Sequence, residues 1–322
     1  MKILYMGDGK WGALCLKRLI KEKKELLGVV IRSNPSDKLV EDVAKENNLS
    51  IYSPNDVNGK SFVKNVYNLK PDLIVSMSYD QIIRKELIEI PSQGIINIHA
   101  GKLPYYRGRS PINWAIINGE EEIGLTVHYI DQGIDTGDII IQEKVPININ
   151  DNYATILRKV EELTPTILMQ AINQIENGLV ISKKHSHLEG IYLPRRCEGD
   201  EIINWNKVSK DVYNFIRALV PPGPGAVTFI DGKEIKVLDC ELLDSPNFIG
   251  NPGQIIGTTN RGVKVKTKDN MVLVTKIKEN NIVKKADLKI GTKLGINYLQ
   301  RINSLEKRVE RLEKKIANLT GR

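Results

Sequence analysis

The chain is poor in cysteine and has no long run of apolar residues. Its three cysteines, Cys15, Cys197 and Cys240, are odd in number, far apart and without the spacing of metal ligands. We therefore expect buried thiols in a reducing cytoplasm rather than a disulfide framework. No apolar run is long enough to cross a bilayer, and Met1–Met6 leads directly into a predicted strand. The sequence thus favours neither a membrane span nor a signal peptide.

The chain also lacks an excess of acidic residues, and its 322 residues carry a formal net charge of +8. Such a charge suits an anionic partner such as tRNA or a nucleotide diphosphate, but the basic residues are spread along the whole chain and are dense in its tail. Charge alone therefore does not choose between these partners. The length suggests two domains, and the 41% hydrophobic content permits ordinary cores.

Predicted strands and helices alternate in the N-terminal part of the chain. Their order is strand, helix, strand, helix, strand over Lys2–Met6, Gly12–Lys21, Leu26–Ile31, Lys38–Asn47 and Asp72–Met77. This alternation predicts an α/β fold with a doubly wound, mostly parallel, Rossmann-like sheet. Ligands of such sheets bind beyond the carboxyl ends of the strands.

A glycine-rich turn follows the first predicted strand. Gly7-Asp8-Gly9-Lys10-Trp11-Gly12 matches the dinucleotide-binding pattern between a strand and a helix, which favours an NAD(P)-dependent oxidoreductase as one alternative. The second strand, however, ends at Arg32-Ser33 without the acidic residue that accepts a ribose hydroxyl, although Arg32 would suit a 2′-phosphate. The other interpretation is that the glycines let the helix pack closely on the sheet.

An amide, an imidazole and a carboxylate are the candidate catalytic groups. Gly94–Ala100 is predicted to be a buried strand, and Asn97 and His99 are two residues apart, so their side chains share a face. A carboxamide beside an imidazole suits a developing oxyanion. Asp135, in a later loop, would orient His99 and keep it protonated. Together these residues suggest acyl transfer.

The surrounding motifs carry a resemblance to a known family. Asn97-Ile98-His99, Arg107-Gly108-Arg109-Ser110-Pro111 and Ile134-Asp135-Thr136-Gly137-Asp138 closely resemble the formyltransferases that use 10-formyltetrahydrofolate. That family includes methionyl-tRNA formyltransferases and sugar-nucleotide N-formyltransferases. The resemblance is strongest from Ser76 to Pro146.

The resemblance implies a role for each group. Asn97 and His99, the latter as an imidazolium, would donate to the tetrahedral oxyanion, and Asp135 would hold His99 and accept the proton of the attacking amine. No metal would be needed. The family's pterin site corresponds here to Met77, Ser78, Tyr79, Asp131, Ile134 and Asp138.

The acceptor is expected to be a nucleotide-linked amino sugar, with methionyl-tRNA as the alternative. Methionyl-tRNA formyltransferases generally carry a basic insertion after the second strand, and residues 31–38 leave little room for one. Arg-Gly-Arg followed by Trp also resembles the sugar-nucleotide branch. Lys10, Arg107 and Arg109 would then neutralise the diphosphate, and Tyr105 or Trp114 would stack on a ring, with core packing as an equal alternative for Trp114.

The C-terminal part predicts a second domain and a coiled coil. Short strands separated by turns after a helix near Val208–Leu219 favour a small β-barrel-like domain, so we expect a formyltransferase domain at 1–198, a β-rich domain at 199–293 and a coiled-coil helix at 296–322. The heptads have β-branched residues at a and leucine at d, which favours a parallel homodimer through residues 302–319. The a positions are Ile302, Val309 and Ile316, and the d positions are Leu305, Leu312 and Leu319. Arg301 and Arg308 occupy g positions, opposite Glu306 and Glu313 at e positions. An amphipathic helix packed on its own domain is the alternative.

Overall fold

The structure is a computed structural model that describes residues 1–35, 37–184, 190–247, 249–295 and 298–320. The chain divides into two compact units. The first comprises Met1–Ala115, Glu120–Asp151 and Thr155–Arg196, and the second comprises Ile116–Gly119, Asn152–Ala154 and Cys197–Arg322.

Up to Leu193, the described residues form nine strands and six helices. In chain order they are β1 Lys2–Gly7, α1 Gly9–Lys21, β2 Glu25–Val30, α2 Leu39–Glu46, β3 Ile51–Tyr52, α3 Lys60–Leu69, β4 Leu73–Met77, α4 Lys85–Ile88, β5 Ile95–His99, β6 Arg107–Gly108, α5 Pro111–Ile117, β7 Glu122–Tyr129, β8 Ile139–Pro146, α6 Tyr153–Glu176 and β9 Tyr192–Leu193.

Seven of these strands form one sheet in the order β3-β2-β1-β4-β5-β7-β8. Strands β1 to β5 pair in parallel, whereas β7 runs antiparallel to β5 and β8 antiparallel to β7. The central strands β1 and β4 are buried along almost their whole length, as expected for apolar strands covered on both faces. The predicted α/β fold with a doubly wound, mostly parallel sheet is confirmed, and β7 and β8 are an antiparallel extension that the sequence did not predict.

Strand β5, which carries the candidate catalytic residues Asn97 and His99, lies between β4 and β7. Ser76 of β4 lies beside Asn97 of β5, and His128 of β7 lies beside Asn97 on the other side. The end of β4, which leads into residues 78 and 79, and strand β7 therefore flank Asn97. A core of apolar side chains under β1 and β4, including Met6, Phe62 and Ile74, supports this part of the sheet.

The second unit contains an antiparallel sheet of six strands. Its elements are α7 Ser209–Arg217, β10 Ala226–Ile230, β11 Lys233–Leu242, β12 Ile255–Thr258, β13 Val263–Lys266, β14 Met271–Glu279, β15 Ile282–Lys285 and α8 Tyr298–Thr320. The strand order is β10-β11-β14-β13-β12, with β15 also paired to β14. Helix α7 buries Val212 and Ile216 in the core of this sheet. The predicted β-rich domain is thus confirmed as an antiparallel sheet.

Helix α8 carries the predicted heptads. Its described apolar side chains are 50–59% exposed: Ile302, Leu305, Val309, Leu312 and Ile316. For Arg301 and Leu319, which complete the predicted heptads, the structure describes no side chain, and residues 296, 297, 321 and 322 lie outside the described ranges. The described apolar side chains of this face are therefore about half exposed.

Candidate active site

Four side chains from two neighbouring strands and one loop form the candidate site. Asn97 and His99 come from β5, His128 comes from β7, and Asp135 comes from the loop between β7 and β8. Asp135 has a φ of +52°, in the left-handed region that costs a non-glycine residue free energy. The structure therefore brings the three predicted catalytic residues together, and adds His128 to them.

Asp135 lies at the centre of this group. Its Oδ2 accepts a hydrogen bond from the backbone N–H of Gly108 at 2.8 Å and lies 3.6 Å from Nδ1 of His99. Its Oδ1 lies 3.6 Å from Nε2 of His128. Asn97 Nδ2 is 3.2 Å from the same Nε2. A single carboxylate is thus shared by two imidazoles.

The hydrogen bonds assign a tautomer to each imidazole. Nε2 of His99 lies 2.6 Å from the carbonyl oxygen of Tyr106, so Nε2 carries a proton and Nδ1 faces Asp135. Nδ1 of His128 lies 2.7 Å from the carbonyl oxygen of Tyr129, so Nδ1 carries a proton, and Nε2 faces both Asn97 and Asp135. In the free protein, both ring nitrogens of His99 thus face other protein groups.

Burial decides the charge of His99. Burial lowers the pKa of His99 below its usual value of 6.5 and outweighs the carboxylate of Asp135 and the carbonyl of Tyr106, which raise it. The expectation that Asp135 keeps His99 protonated is therefore wrong for this site at neutral pH. The reason is that desolvation disfavours an imidazolium more than one carboxylate at 3.6 Å favours it.

The carboxyl group of Asp135 is ionised. Burial alone would raise its pKa, but the hydrogen bond with His128, the electrostatic interaction with the His99 imidazole and the N–H of Gly108 together lower its pKa to about 2. Such an acid is a weak base at neutral pH. The expected role of Asp135 as the proton acceptor therefore does not fit, while a role in orienting and stabilising His99 does.

The sequence-based prediction did not include His128 among the site residues. It is 2% exposed and pairs across the sheet with Asn97. The available signal was a histidine inside the β-branched run Leu125-Thr126-Val127-His128, shortly before the acidic loop. Because β7 was not predicted as a strand, its pairing with β5 was not foreseen.

The residues predicted to border a pterin include the turn after β4. Met77 is buried, Ser78 is exposed with a φ of +56°, and Tyr79 is half-buried. The hydroxyl of Tyr79 lies 3.4 Å from the carbonyl oxygen of Ile31, and burial is the main cause that raises its pKa to about 12. The unusual backbone at Ser78 exposes the turn beside Asn97.

Arg32 holds that turn in place. Its Nη2 donates to the carbonyl oxygen of Ser78 at 2.7 Å, its Nη1 lies 3.0 Å from the carboxylate of Asp8, and its Nε lies 3.2 Å from that of Asp80. Arg32 thus links the loops that follow β1, β2 and β4. A guanidinium engaged in this way does not support the 2′-phosphate contact that the oxidoreductase alternative required.

The glycine-rich turn has a packing role. Helix α1 begins at Gly9, and a Cβ added to Gly12 would lie 3.0 Å from Val40 and 3.4 Å from the backbone of Gly7. Lys10, expected to contact phosphates, pairs its Nζ with Glu161 at 2.6 Å. Close packing of α1 is therefore the interpretation that the structure supports for these glycines.

The acidic loop after β7 is braced by its own side chains. Asp131 accepts hydrogen bonds from the N–H of Gly133 at 3.0 Å and from the hydroxyl of Thr136. Asp138 lies 3.3 Å from the hydroxyl of Ser182. Ile134 is 50% exposed at the loop surface. These contacts give Asp131 and Asp138 a structural function and leave Ile134 available to a ligand.

The residues predicted to bind the acceptor fall into two groups. Tyr105 and Arg109 are exposed, and Trp114 is half-buried with the guanidinium of Arg196 5.8 Å from its ring centre. Arg107, in contrast, is 0% exposed, and its guanidinium lies 5.4 Å from the ring centre of Tyr192. Its predicted contact with a diphosphate is therefore wrong for this structure, because residues 190–192 cover it.

The described residues lack both a metal-ligand cluster and a membrane-spanning helix. In the ranges that the structure describes, no group of three or more His, Cys, Asp or Glu side chains could hold a metal ion. Among the described helices, none is both long and apolar enough to cross a membrane.

The doubly wound sheet and the shared carboxylate define an α/β enzyme with a site suited to acyl transfer. Residues 1–172 match the family described as formyl transferase, and residues 198–291 match the formyl transferase C-terminal domain. The chain therefore belongs to the formyltransferase family and is an enzyme that transfers formyl groups.

Curated relatives share about a third of the sequence. A methionyl-tRNA formyltransferase of Clostridioides difficile (strain 630) is 35% identical over 289 residues, which cover 87% of this chain and 93% of the relative. A methionyl-tRNA formyltransferase of Fusobacterium nucleatum is 30% identical over 311 residues, which cover 91% of this chain and 100% of the relative.

Solved structures with this fold include sugar formyltransferases. A structure of WlaRD, a sugar 3N-formyl transferase, in the presence of dTDP and 5-N-formyl-THF has a TM-score of 0.68 and 25% identity, covering 90% of this chain and 99% of that chain. The N-formyltransferase from Helicobacter canadensis in complex with folinic acid and dTDP-3-aminofucose has a TM-score of 0.69 and 23% identity, covering 85% and 99%.

Proposed function

We propose that this enzyme transfers a formyl group from 10-formyltetrahydrofolate to the amine of a nucleotide-linked amino sugar. The observation that carries the chemical part is the cluster of Asn97, His99 and Asp135 on adjacent elements. A carboxamide, a neutral imidazole and an ionised carboxylate are the groups that formyl transfer to an amine requires.

His99 takes the proton of the attacking amine. Its neutral Nδ1, which lies 3.6 Å from Oδ2 of Asp135, accepts the proton, so the carboxylate stabilises the imidazolium as it forms. Asp135 stays ionised during this step, because its pKa is about 2. The imidazolium returns its proton to the departing nitrogen of the folate.

Asn97 stabilises the oxyanion. Its Nδ2 lies 3.2 Å from Nε2 of His128 and can donate an N–H to the formyl oxygen as negative charge develops there. His128 holds the amide in this orientation through its own bond to the carbonyl of Tyr129. Preorganised donors of this kind are typically worth about a hundredfold or more in rate.

The folate donor fits the residues around this cluster. Ser78 presents an exposed, left-handed turn beside Asn97 with its carbonyl held by Arg32, and Ile134 presents an exposed apolar side chain. The turn and the loop would hold the pterin, Ile134 by apolar contact and residues 77–79 by backbone groups. The donor supplies the formyl group, and these residues orient it.

A nucleotide-linked amino sugar is favoured as the acceptor by two features. Strand β2 ends at Val30 and α2 begins at Leu39, so the connection is too short for the basic insertion expected of a tRNA enzyme. Arg109 is exposed next to Gly108, whose N–H binds Asp135. A cation therefore stands one residue from the site of proton transfer, where the phosphates of a nucleotide sugar could reach it.

Methionyl-tRNA is the second candidate acceptor. The identity of 35% to a methionyl-tRNA formyltransferase over 289 residues favours it. The two functions are separated by incubating the protein and 10-formyltetrahydrofolate with UDP-, GDP- and dTDP-linked amino sugars or with methionyl-tRNA, and detecting formylated product by mass spectrometry. We expect product from one class of sugar; product from methionyl-tRNA alone would overturn the proposal.

We also propose that residues 302–319 of α8 form a parallel coiled coil between two copies of the chain. The support is the apolar face of α8, which lies exposed at Ile302, Leu305, Val309, Leu312 and Ile316. The domain division that we propose is a catalytic domain at 1–198, a β-rich domain at 199–293 and a dimerisation helix whose described part is Tyr298–Thr320.

A further inference from the structure

A two-stranded ribbon joins the loop after β5 to the end of the first unit. Strand β6 pairs in parallel with β9, so that Arg107 lies beside Tyr192 and Gly108 beside Leu193. The N–H of Arg107 donates to the carbonyl of Ile191 at 3.0 Å, and that of Arg109 donates to the carbonyl of Leu193 at 3.1 Å. Residues that are distant in sequence are thereby neighbours.

Packing fixes the ribbon tightly. The buried guanidinium of Arg107 lies over the ring of Tyr192, and a Cβ added to Gly190 would lie 2.1 Å from Nη1 of Arg107. Gly108 has a φ of +89°, and a Cβ there would lie 2.5 Å from the carbonyl oxygen of Leu193. The backbone approach at Gly108 requires glycine.

The ribbon contacts the catalytic carboxylate directly. The N–H of Gly108 donates to Oδ2 of Asp135 at 2.8 Å. Consecutive Cα atoms are about 3.8 Å apart. The residues that follow β6 and β9 therefore begin within roughly two Cα–Cα steps of Asp135. The segment after β9 is therefore close to the reacting groups, although it is distant from them in sequence.

Three arginines leave the ribbon at the same end. Arg109 follows β6, and Arg195 and Arg196 follow β9 after Pro194. The strands are parallel, so both exit in the same direction. Arg109 and Arg195 are exposed, and Arg196 is half-buried with its guanidinium over the ring of Trp114. The aromatic contact restricts the position of one guanidinium in this group.

We propose that Arg195 and Arg196, together with Arg109, bind the diphosphate of the nucleotide-linked amino sugar. The proposal rests on the proposed function. Arginine donates paired N–H groups to phosphate oxygens, and several guanidiniums at one edge match two adjacent phosphates. Arg195 and Arg196 thus take the phosphate-binding role that the sequence predicted for Arg107 and Lys10. In the structure Arg107 contacts Tyr192, and Lys10 pairs with Glu161.

Single alanine variants of the full-length enzyme test this assignment. Charged hydrogen bonds to phosphate are worth about tenfold or more in affinity, so R195A and R196A should each raise the KM for the amino sugar by that factor. The KM for 10-formyltetrahydrofolate should be unchanged. R195K should recover part of the loss. R158A is the matched control, because Arg158 is an exposed arginine on α6 of the same catalytic domain and should leave both KM values unchanged.

Calorimetric titration with UDP, GDP and dTDP gives a readout that does not depend on turnover. The nucleotide that the wild type binds should bind R195A and R196A at least about tenfold more weakly. If R196A unfolds because Trp114 loses its partner, R195A alone carries the test.

The outcomes separate this proposal from the proposed function. If the wild type formylates an amino sugar while R195A retains its KM and its nucleotide affinity, the arginine subsite is wrong and the function stands. If the wild type formylates only methionyl-tRNA, and R195A lowers tRNA affinity and its salt dependence, the diphosphate proposal is overturned because the arginines bind a nucleic acid backbone.

Discussion

The free energy of dimerisation through the proposed coiled coil can be estimated from the exposed side chains of α8. Fully burying a Leu, Ile or Val side chain is worth about 1.5–3 kcal/mol, so the remaining half of each exposed side chain is worth about 1 kcal/mol. Ten such side chains in a dimer, five from each chain, would contribute about 10 kcal/mol. Association costs about 4–15 kcal/mol, so the dimer is near balance. A single substitution in α8 should therefore be decisive.

Leu312→Glu is the substitution of choice. It removes two of the ten side chains, or about 2 kcal/mol, and places two carboxylates opposite each other, so the dissociation constant should rise by at least about thirtyfold. Light scattering across a concentration series measures it. Lys314→Glu is the control, because it adds a carboxylate at an exposed position on the other side of the same helix. Truncation after Tyr298 should yield a monomer.

The charges of α8 predict the orientation of the pair. In a parallel pair, Arg308 at g meets Glu313 at e of the partner chain, whereas an antiparallel pair would place like charges together. With Cys197 replaced by Ser, Ile302→Cys should form a disulfide between chains, since Cys15 and Cys240 are buried. In an antiparallel pair the two positions would be about 20 Å apart. A truncated chain that remains a dimer, or an Ile302→Cys variant that does not cross-link, would refute the reasoning.

Four further predictions concern the active site. In NMR spectra of the chain's four histidines, the His99 imidazole should titrate below pH 6.5, and kcat/KM should fall as pH drops through that pKa; a fall as pH rises from 6 to 8 would instead support a catalytic imidazolium. Asn97→Ala should lower kcat about a hundredfold with an unchanged Tm. His128→Ala should lower kcat and raise the pKa of Asp135, both measurable by pH profile and by carboxyl NMR, because His128 is one cause of that low pKa. Arg32→Met should raise the KM for 10-formyltetrahydrofolate while sparing that for the acceptor, and an equal rise in both would argue against its specific role at Ser78.

Much of the fold was predictable because its signals are local. The order of β1, α1, β2, α2 and β4 follows from apolar runs and punctuating glycines, and the structure places these elements within a few residues of their predicted bounds. Strands β7 and β8 were not predicted. They join the sheet only by pairing with β5 and with each other, and this pairing is a tertiary property that local pattern does not show.

The candidate site was predictable where its residues are close in sequence or belong to a motif. Asn97 and His99 share a strand, and Asp135 belongs to a recognisable acidic loop. The burial of Arg107 depends on residues 190–192, and the pairing of Lys10 depends on Glu161, so neither was visible locally. The charge of His99 was mispredicted for a related reason, because a neighbouring carboxylate can be inferred from sequence but the degree of desolvation cannot.

Overall identity does not choose the acceptor, because the residues of the fold and of the formyl centre are needed with either amine. The sheet, the Asn97–His99 pair and Asp135 would serve either an amino sugar or an aminoacyl-tRNA. Discrimination requires residues that touch only the acceptor, and the residues that we propose for this role are the arginines at the end of the ribbon. A chain can therefore be 35% identical to a methionyl-tRNA formyltransferase and still act on a different amine. If so, substituting Arg195 and Arg196 should change the KM for the acceptor without changing the pH dependence that His99 sets. The reason is that the arginines and His99 act on different parts of the substrate.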